Sequence, residues 1–204
     1  MDASSITRRA FARLGLGAIA LGAISTAIEP TAFAARITPL RLTPAAIDAD
    51  ELTPPQTEGP YFKPSSPERI WLGESTAGGT PLVITGRVLA PDGTPIAGAL
   101  LDFWQANDAG QYDNQGYELR GHQYTDPDSY YTLGTVVPGL YPGRTRHIHV
   151  KVQAPNGPVL TTQLYFPNEA RNATDGIFDP ALVLPVQQSE SGEVATFDFV
   201  INTA

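Results

Sequence analysis

An all-β sandwich is the fold class this sequence predicts, on three observations. Apolar residues alternate with polar or small ones at a period of two in several short runs. Turns rich in proline and glycine separate those runs, and the 204-residue chain holds 19 of each. No run shows a sustained helical period. The length suits one domain with a real hydrophobic core.

The first 34 residues read as an export signal and not as fold. Arg8 and Arg9 precede an apolar run rich in Gly and Ala, and Ala32-Phe33-Ala34 offers a small-residue cleavage site. Ser5, the arginine pair and Phe11 together resemble a bacterial twin-arginine signal. The run stops short of the roughly 20 residues that span a bilayer, so no stable membrane anchor is expected. The expected location is outside the cytoplasm, periplasmic or extracellular. Residues 35–55, rich in Pro, Thr and Ala, read as a linker or arm, and 56–204 as the folded domain.

Within that domain TEGPYF, at 57–62, reads as a fixed loop packed on the body. Leu82, Ile84 and Val88 alternate with polar or small residues in a first strand. Pro91-Asp92-Gly93 is a turn in which proline presets φ and glycine accepts a positive one. A second strand over 99–105 puts Leu101 and Phe103 on one side and Asp102 and Trp104 on the other. Two strands around a short turn region predict a hairpin-like unit. A polar loop over 107–116 carries Tyr112, and Asp126-Pro127-Asp128 marks another turn. A strand over 130–136 follows and ends at Pro138-Gly139, just before Tyr141. Further strands are expected over 159–166 and 194–201, the last with Phe197 and Phe199 on one side, and a long loop over 167–185.

The stretch YPGRTRHIHVKV, at 141–152, carries the chemistry. Ile148, Val150 and Val152 alternate with His147, His149 and Lys151, so a strand would send both imidazoles out of one face. They are two of only three histidines, and cysteine is absent. Disulfides, thiolate zinc sites, iron–sulfur clusters and cysteine nucleophiles are excluded. The net charge of −8, or −9 once residues 1–34 are removed, argues against a nucleic-acid partner. On the residues alone the histidines are either a structural pair or half of a metal site. Two phenolates would complete a hard N₂O₂ set suited to iron(III). By type Tyr61, Tyr117, Tyr124, Tyr130, Tyr131 and Tyr165 compete equally with Tyr112 and Tyr141.

GQYD, LRGHQYTD, TLGTVVPGLYPGR and RTRHIHVKV, in that order, resemble the intradiol ring-cleavage dioxygenases, best over 57–166. The resemblance implies a transthyretin-like β-sandwich with long loops around the metal. It implies that Tyr112 and Tyr141 are tyrosinate ligands, that His147 and His149 are imidazole ligands, and that the four hold Fe(3+). Tyr141 is implied to act as ligand and base in turn, Arg144 as the active-site arginine, and Gln163 as a supporting glutamine. Gly59, Pro60 and Tyr61 fall on the segment lining the mouth of the site. His122 departs from the pattern and reads as a loop residue, and Arg146 as a surface or rim charge. The implied substrates are a small catechol-type diol and O₂, the product a muconate-type diacid. No helical N-terminal dimerisation region is expected, so the chain resembles the compact protocatechuate-type core; homo-oligomer formation stays open. The rivals are an exported β-sandwich binding module that has lost the metal, and a copper site on the His-x-His strand that would not need Tyr112.

Overall fold

A computed structural model describes residues 51–73 and 79–204. The expected signal and most of the expected arm lie outside the described residues. Among the described residues the strands are β1 (Pro81–Leu89), β2 (Leu100–Trp104), β3 (Arg120–Tyr124), β4 (Tyr130–Val136), β5 (His147–Gln153), β6 (Val159–Tyr165), β7 (Gln187–Ser189), β8 (Gly192–Thr196) and β9 (Phe199–Val200). They form two sheets. One runs β4-β1-β8-β7, with β9 also paired to β1, and the other runs β3-β2-β5-β6. The expected all-β sandwich is therefore present.

The two sheets meet through the apolar sides of their strands. Leu82, Ile84, Val88 and Leu133 from one sheet are fully buried, as are Leu101, Phe103, Ile148, Val150, Val152 and Leu164 from the other. Each such side chain contributes about 1.5–3 kcal/mol relative to exposure. The same requirement overturns the expected hairpin. β1 pairs with β4, β8 and β9, whereas β2 pairs with β3 and β5. The turn at Pro91–Gly93 forms, with the Ala90 amide donating to the Thr94 carbonyl at 2.8 Å, but the chain then crosses to the opposite sheet. Two strands that each carry one apolar face bury more of it face to face than side by side.

Three other elements differ from expectation. β3 is not among the expected strands, and it puts His122 on a strand and not in a loop. The 167–185 stretch contains 3₁₀ turns at Ala170–Ala173 and Pro180–Leu182. The expected C-terminal strand is split into β8 and β9. At the split, the Phe197 amide donates to the Thr85 carbonyl and the Arg87 amide to Asp198 Oδ1. Gly86 makes this possible: a Cβ there would lie 1.8 Å from the Phe197 carbonyl oxygen. Upstream, residues 53–56 are docked on the sheets, where Thr53 donates its amide to the Val200 carbonyl and Gln56 donates its own to Thr161.

Gly86→Ala should therefore cost at least about 1–3 kcal/mol, because backbone and not a flexible side chain must yield. Gly176→Ala is the control, since nothing lies within 4 Å of its Cβ position. Urea midpoints of the two variants test the difference; equal midpoints would contradict the close approach.

Candidate metal centre

The register of the second sheet builds the floor of the site. β5 is central, with Trp104 opposite His149 on β2 and Gln163 opposite His149 on β6. Trp104, His149 and Gln163 thus form one cross-strand row on the face away from the core. His147 stands opposite Tyr165 one step along. The row packs closely: the Trp104 and His149 rings stack at 4.8 Å with an interplanar angle of 7°. His147 and His149 stand edge to face at 4.8 Å. Both are buried, as the alternation with Ile148 and Val150 requires once loops cover the outer face.

Three loops supply that cover. The 57–62 segment is tied down by Gln163 Nε2, which donates to the Thr57 carbonyl at 2.8 Å. Gly59, at φ +69°, lies against the His149 ring, where a side chain would be both strained and in contact. Tyr61 stacks on Tyr112 at 4.5 Å, and its hydroxyl shares a 2.8 Å hydrogen bond with the Tyr141 hydroxyl. The loops carrying Tyr112 and Tyr141 touch backbone to backbone. A Cβ on Gly139 would lie 2.3 Å from the Asp108 carbonyl oxygen, and one on Gly110 would lie 2.4 Å from the Leu140 carbonyl oxygen. Among the described residues no three His, Cys, Asp or Glu side chains gather, and the side-chain oxygens beside the histidine pair include the tyrosine hydroxyl of Tyr112.

The tyrosines do come to the histidines. His147 Nδ1 donates to the Thr145 carbonyl at 2.7 Å, which leaves the Nε2 lone pair free. That nitrogen accepts from the Tyr112 hydroxyl at 3.2 Å. The Tyr112 ring lies 5.8 Å from that of Tyr141 and 6.3 Å from that of His149. Burial pushes His147 down to about 4. Burial also holds His149 well below its ordinary value, helped by His147, Arg144 and Arg120. His149 Nδ1 is buried without a hydrogen-bond partner among the described residues. The Tyr112 phenol is raised, because burial disfavours the phenolate, while Arg144 and Arg120 pull the other way. Two neutral imidazoles and half-buried phenols form a donor set that a strong cation would complete. The residues present fit iron(III).

Arg144 and Gln163 are adjacent, with Arg144 Nη2 donating to Gln163 Oε1 at 2.8 Å. Gly59 and Tyr61 on the covering segment reach the His149 and Tyr112 rings, while Pro60 between them is exposed. Arg146 is half-buried, donating from Nε to Glu169 at 2.6 Å and from Nη1 to the Pro138 carbonyl. His122 sits apart, its Nδ1 hydrogen-bonded to the Ser66 carbonyl at 2.7 Å.

Sequence reasoning missed two residues here. Arg120 is buried, donating to the Tyr61 carbonyl at 2.6 Å and to the Asp113 carbonyl from two nitrogens, at 3.0 and 3.2 Å. It ties the Tyr61 segment to the Tyr112 loop. The alternation puts Trp104 on the face opposite Phe103, but nothing local marks it as the plate under His149. Arginine is ordinarily exposed, so nothing local marks Arg120 as buried.

The buried imidazoles make metal-free stability pH-dependent. A histidine whose pKa falls on folding binds fewer protons folded than unfolded between the two values. Stability should rise as pH goes from about 4 to 6.5 and level off above, with His147 contributing on the order of 3 kcal/mol. Urea midpoints of metal-free protein across that window check this, and His147→Asn should reduce the slope while leaving the share that His149 contributes.

Comparison with known proteins agrees with this architecture. Residues 57–203 match the protein-family model described as Dioxygenase. The solved dioxygenase domain of a dioxygenase carbohydrate-binding protein fusion from Streptomyces sp. SirexAA-E is 57% identical, with a TM-score of 0.73 over 76% of this chain and 100% of that one. The crystal structure of 3-chlorocatechol 1,2-dioxygenase from Rhodococcus opacus is 28% identical, with a TM-score of 0.68 over 74% of this chain and 73% of that one. Hydroxyquinol 1,2-dioxygenase of a Rhizobium species is 31% identical over 147 residues, which are 59% of this chain and 50% of that enzyme. The chain thus spans about half the length of that curated relative. The family match runs from the segment covering the histidine face through the C-terminal strands, and the chain belongs to the intradiol ring-cleavage dioxygenase family.

Proposed function

We propose that this protein is a non-haem iron(III) dioxygenase that cleaves a catechol-type diol between its two hydroxylated carbons. Both atoms of O₂ enter the product, a muconate-type diacid. The observation that carries the reading is the convergence of Tyr112, His147, His149 and Tyr141 beneath the Tyr61 segment. Those four residues would hold iron(III), which as a strong Lewis acid favours the deprotonated diol and supplies redox capacity toward dioxygen.

The chain's own residues account for the rest. Burial keeps His147 and His149 neutral, so each presents a lone pair at neutral pH. The Tyr141 phenolate oxygen would take one diol proton, and Tyr61 Oη, 2.8 Å away, would hydrogen-bond it before and after that transfer. Arg144 faces the same cluster and would stabilise negative charge developing on the diol. Gln163 holds that guanidinium through its Oε1. Gly59 lies against the His149 ring and would help keep water from that side.

We assign the substrate to neutral or extended aromatic diols met outside the cytoplasm. The acidic chain disfavours an anionic ring acid. The Streptomyces relative, from a cellulolytic bacterium, is part of a fusion with a carbohydrate-binding protein, which supports an extracellular setting. The twin-arginine-like residues Arg8 and Arg9 support export.

Iron-loaded protein should show a broad visible tyrosinate-to-iron band that moves to longer wavelength with catechol under anaerobic conditions. Colourless protein with a full complement of iron would remove the tyrosinate assignment. Tyr112→Phe should weaken the band and leave the share due to Tyr141. Arg144→Ala should keep iron and band while kcat falls roughly 100-fold or more, the scale of losing one preorganised charge-stabilising donor. Equal loss of iron and turnover would make Arg144 structural.

A further inference from the structure

Four residues from the stretch after β6 reach back to the turn that carries Tyr141 and Arg144. Glu169 accepts from Arg146 Nε at 2.6 Å. Arg171 Nη1 donates to the carbonyls of Tyr141 and Arg144, each at 3.1 Å. Asn172 Oδ1 accepts from the Thr145 hydroxyl at 2.5 Å. Asp175 Oδ2 accepts from both Arg144 Nε and the Thr145 amide, each at 2.8 Å.

Asp175 is the unusual member. Its side chain is 3% exposed, against 21% for Arg144. A carboxylate taken out of water is costly unless it is paired and hydrogen-bonded. Here one oxygen meets both the side chain of Arg144 and the backbone N–H of the next residue. The guanidinium is therefore fixed relative to its own main chain. Gln163 holds the same group from the other side, at Nη2. Two of the three guanidinium nitrogens are engaged by groups from different elements, and neither contact uses Nη1. A surface ion pair would leave such a side chain several rotamers; this arrangement leaves one orientation. Although burial works to raise the Asp175 carboxyl, its bonds with Thr145 and Arg144 outweigh that and hold it below its ordinary value.

We propose that Asp175 is a positioning residue for the reaction: together with Gln163 it locks the Arg144 guanidinium in one orientation while charge develops on the diol. This rests on the reading of Arg144 as the residue that meets that charge. It also gives the 167–185 stretch a role, since its 3₁₀ turn over Ala170–Ala173 places Asn172 and Asp175 over the same turn.

The test is Asp175→Asn, which keeps an acceptor oxygen and removes the charge. The variant should bind iron and show the visible band as the parent does. Its kcat should fall roughly 10–100-fold, the usual scale for losing a supporting hydrogen-bond partner, with KM changed by far less. The double variant Arg144→Ala/Asp175→Asn should be no slower than Arg144→Ala alone, because the second loss acts through the first. Losses that multiply, or an Asp175→Asn enzyme with parental kcat, overturn the proposal. A crystal structure of Asp175→Asn should show the guanidinium withdrawn from Gln163; an unmoved guanidinium also overturns it. If Asp175→Asn does not fold, Asp175→Glu takes the same assays, and parental kcat with a displaced guanidinium would be equally fatal. Should the iron-loaded parent cleave no diol, the proposed function fails, and the crystal structure still decides whether Asp175 orients Arg144.

Discussion

The outer face of β5 carries two imidazoles that must be buried and yet stay neutral, and the rest of the site is arranged around that requirement. Trp104 closes one side of His149 by stacking, and Gly59 lies against another in a positive-φ conformation that glycine adopts without strain. Thr145 takes the one N–H of His147 and so decides which nitrogen is left for chemistry. A pair of buried, neutral imidazoles with phenols beside them brings lone pairs and ionisable oxygens together. A core packed from hydrocarbon rings alone offers neither.

The arginines reinforce this bias from outside. Arg144 and Arg120 both favour the ionised form of Tyr112, and both disfavour protonated His149. The same positive field thus pushes phenol and imidazole alike toward the forms that can bind metal. Arg120 does so from a buried position where it also joins the Tyr61 segment to the Tyr112 loop through carbonyl acceptors. Arg144 does so from a half-open position, held by Asp175 and Gln163. Electrostatics and loop anchoring are therefore carried by the same two side chains.

The sandwich divides labour between the faces of one sheet. The inner face of β2, β5 and β6 is Leu101, Phe103, Ile148, Val150, Val152 and Leu164, and supplies rigidity. The outer face of the same strands is Trp104, His147, His149 and Gln163. A strand's period of two lets one rigid element serve both ends, which holds the imidazoles more firmly than a loop could.

Much of this was legible in the chain itself. The alternation in HIHVKV determined that His147 and His149 share a face, because backbone geometry alone sets that period. Likewise Pro91–Gly93 and Pro138-Gly139 determined where strands end, and the ordered tyrosine, arginine and histidine motifs pointed to the family. Tertiary structure decided the rest. The pairing of β1 and β2 could not be read from their spacing, since a short turn serves equally between neighbours in one sheet and between opposed sheets. The single C-terminal strand gave way to two because Gly86 admits the Phe197 carbonyl from over a hundred residues away. Which of eight tyrosines faces the histidines, and that Arg120 and Asp175 are buried partners of the site, depend on contacts between distant segments. Local periodicity reports which way a side chain points; only the packed fold reports what it meets there.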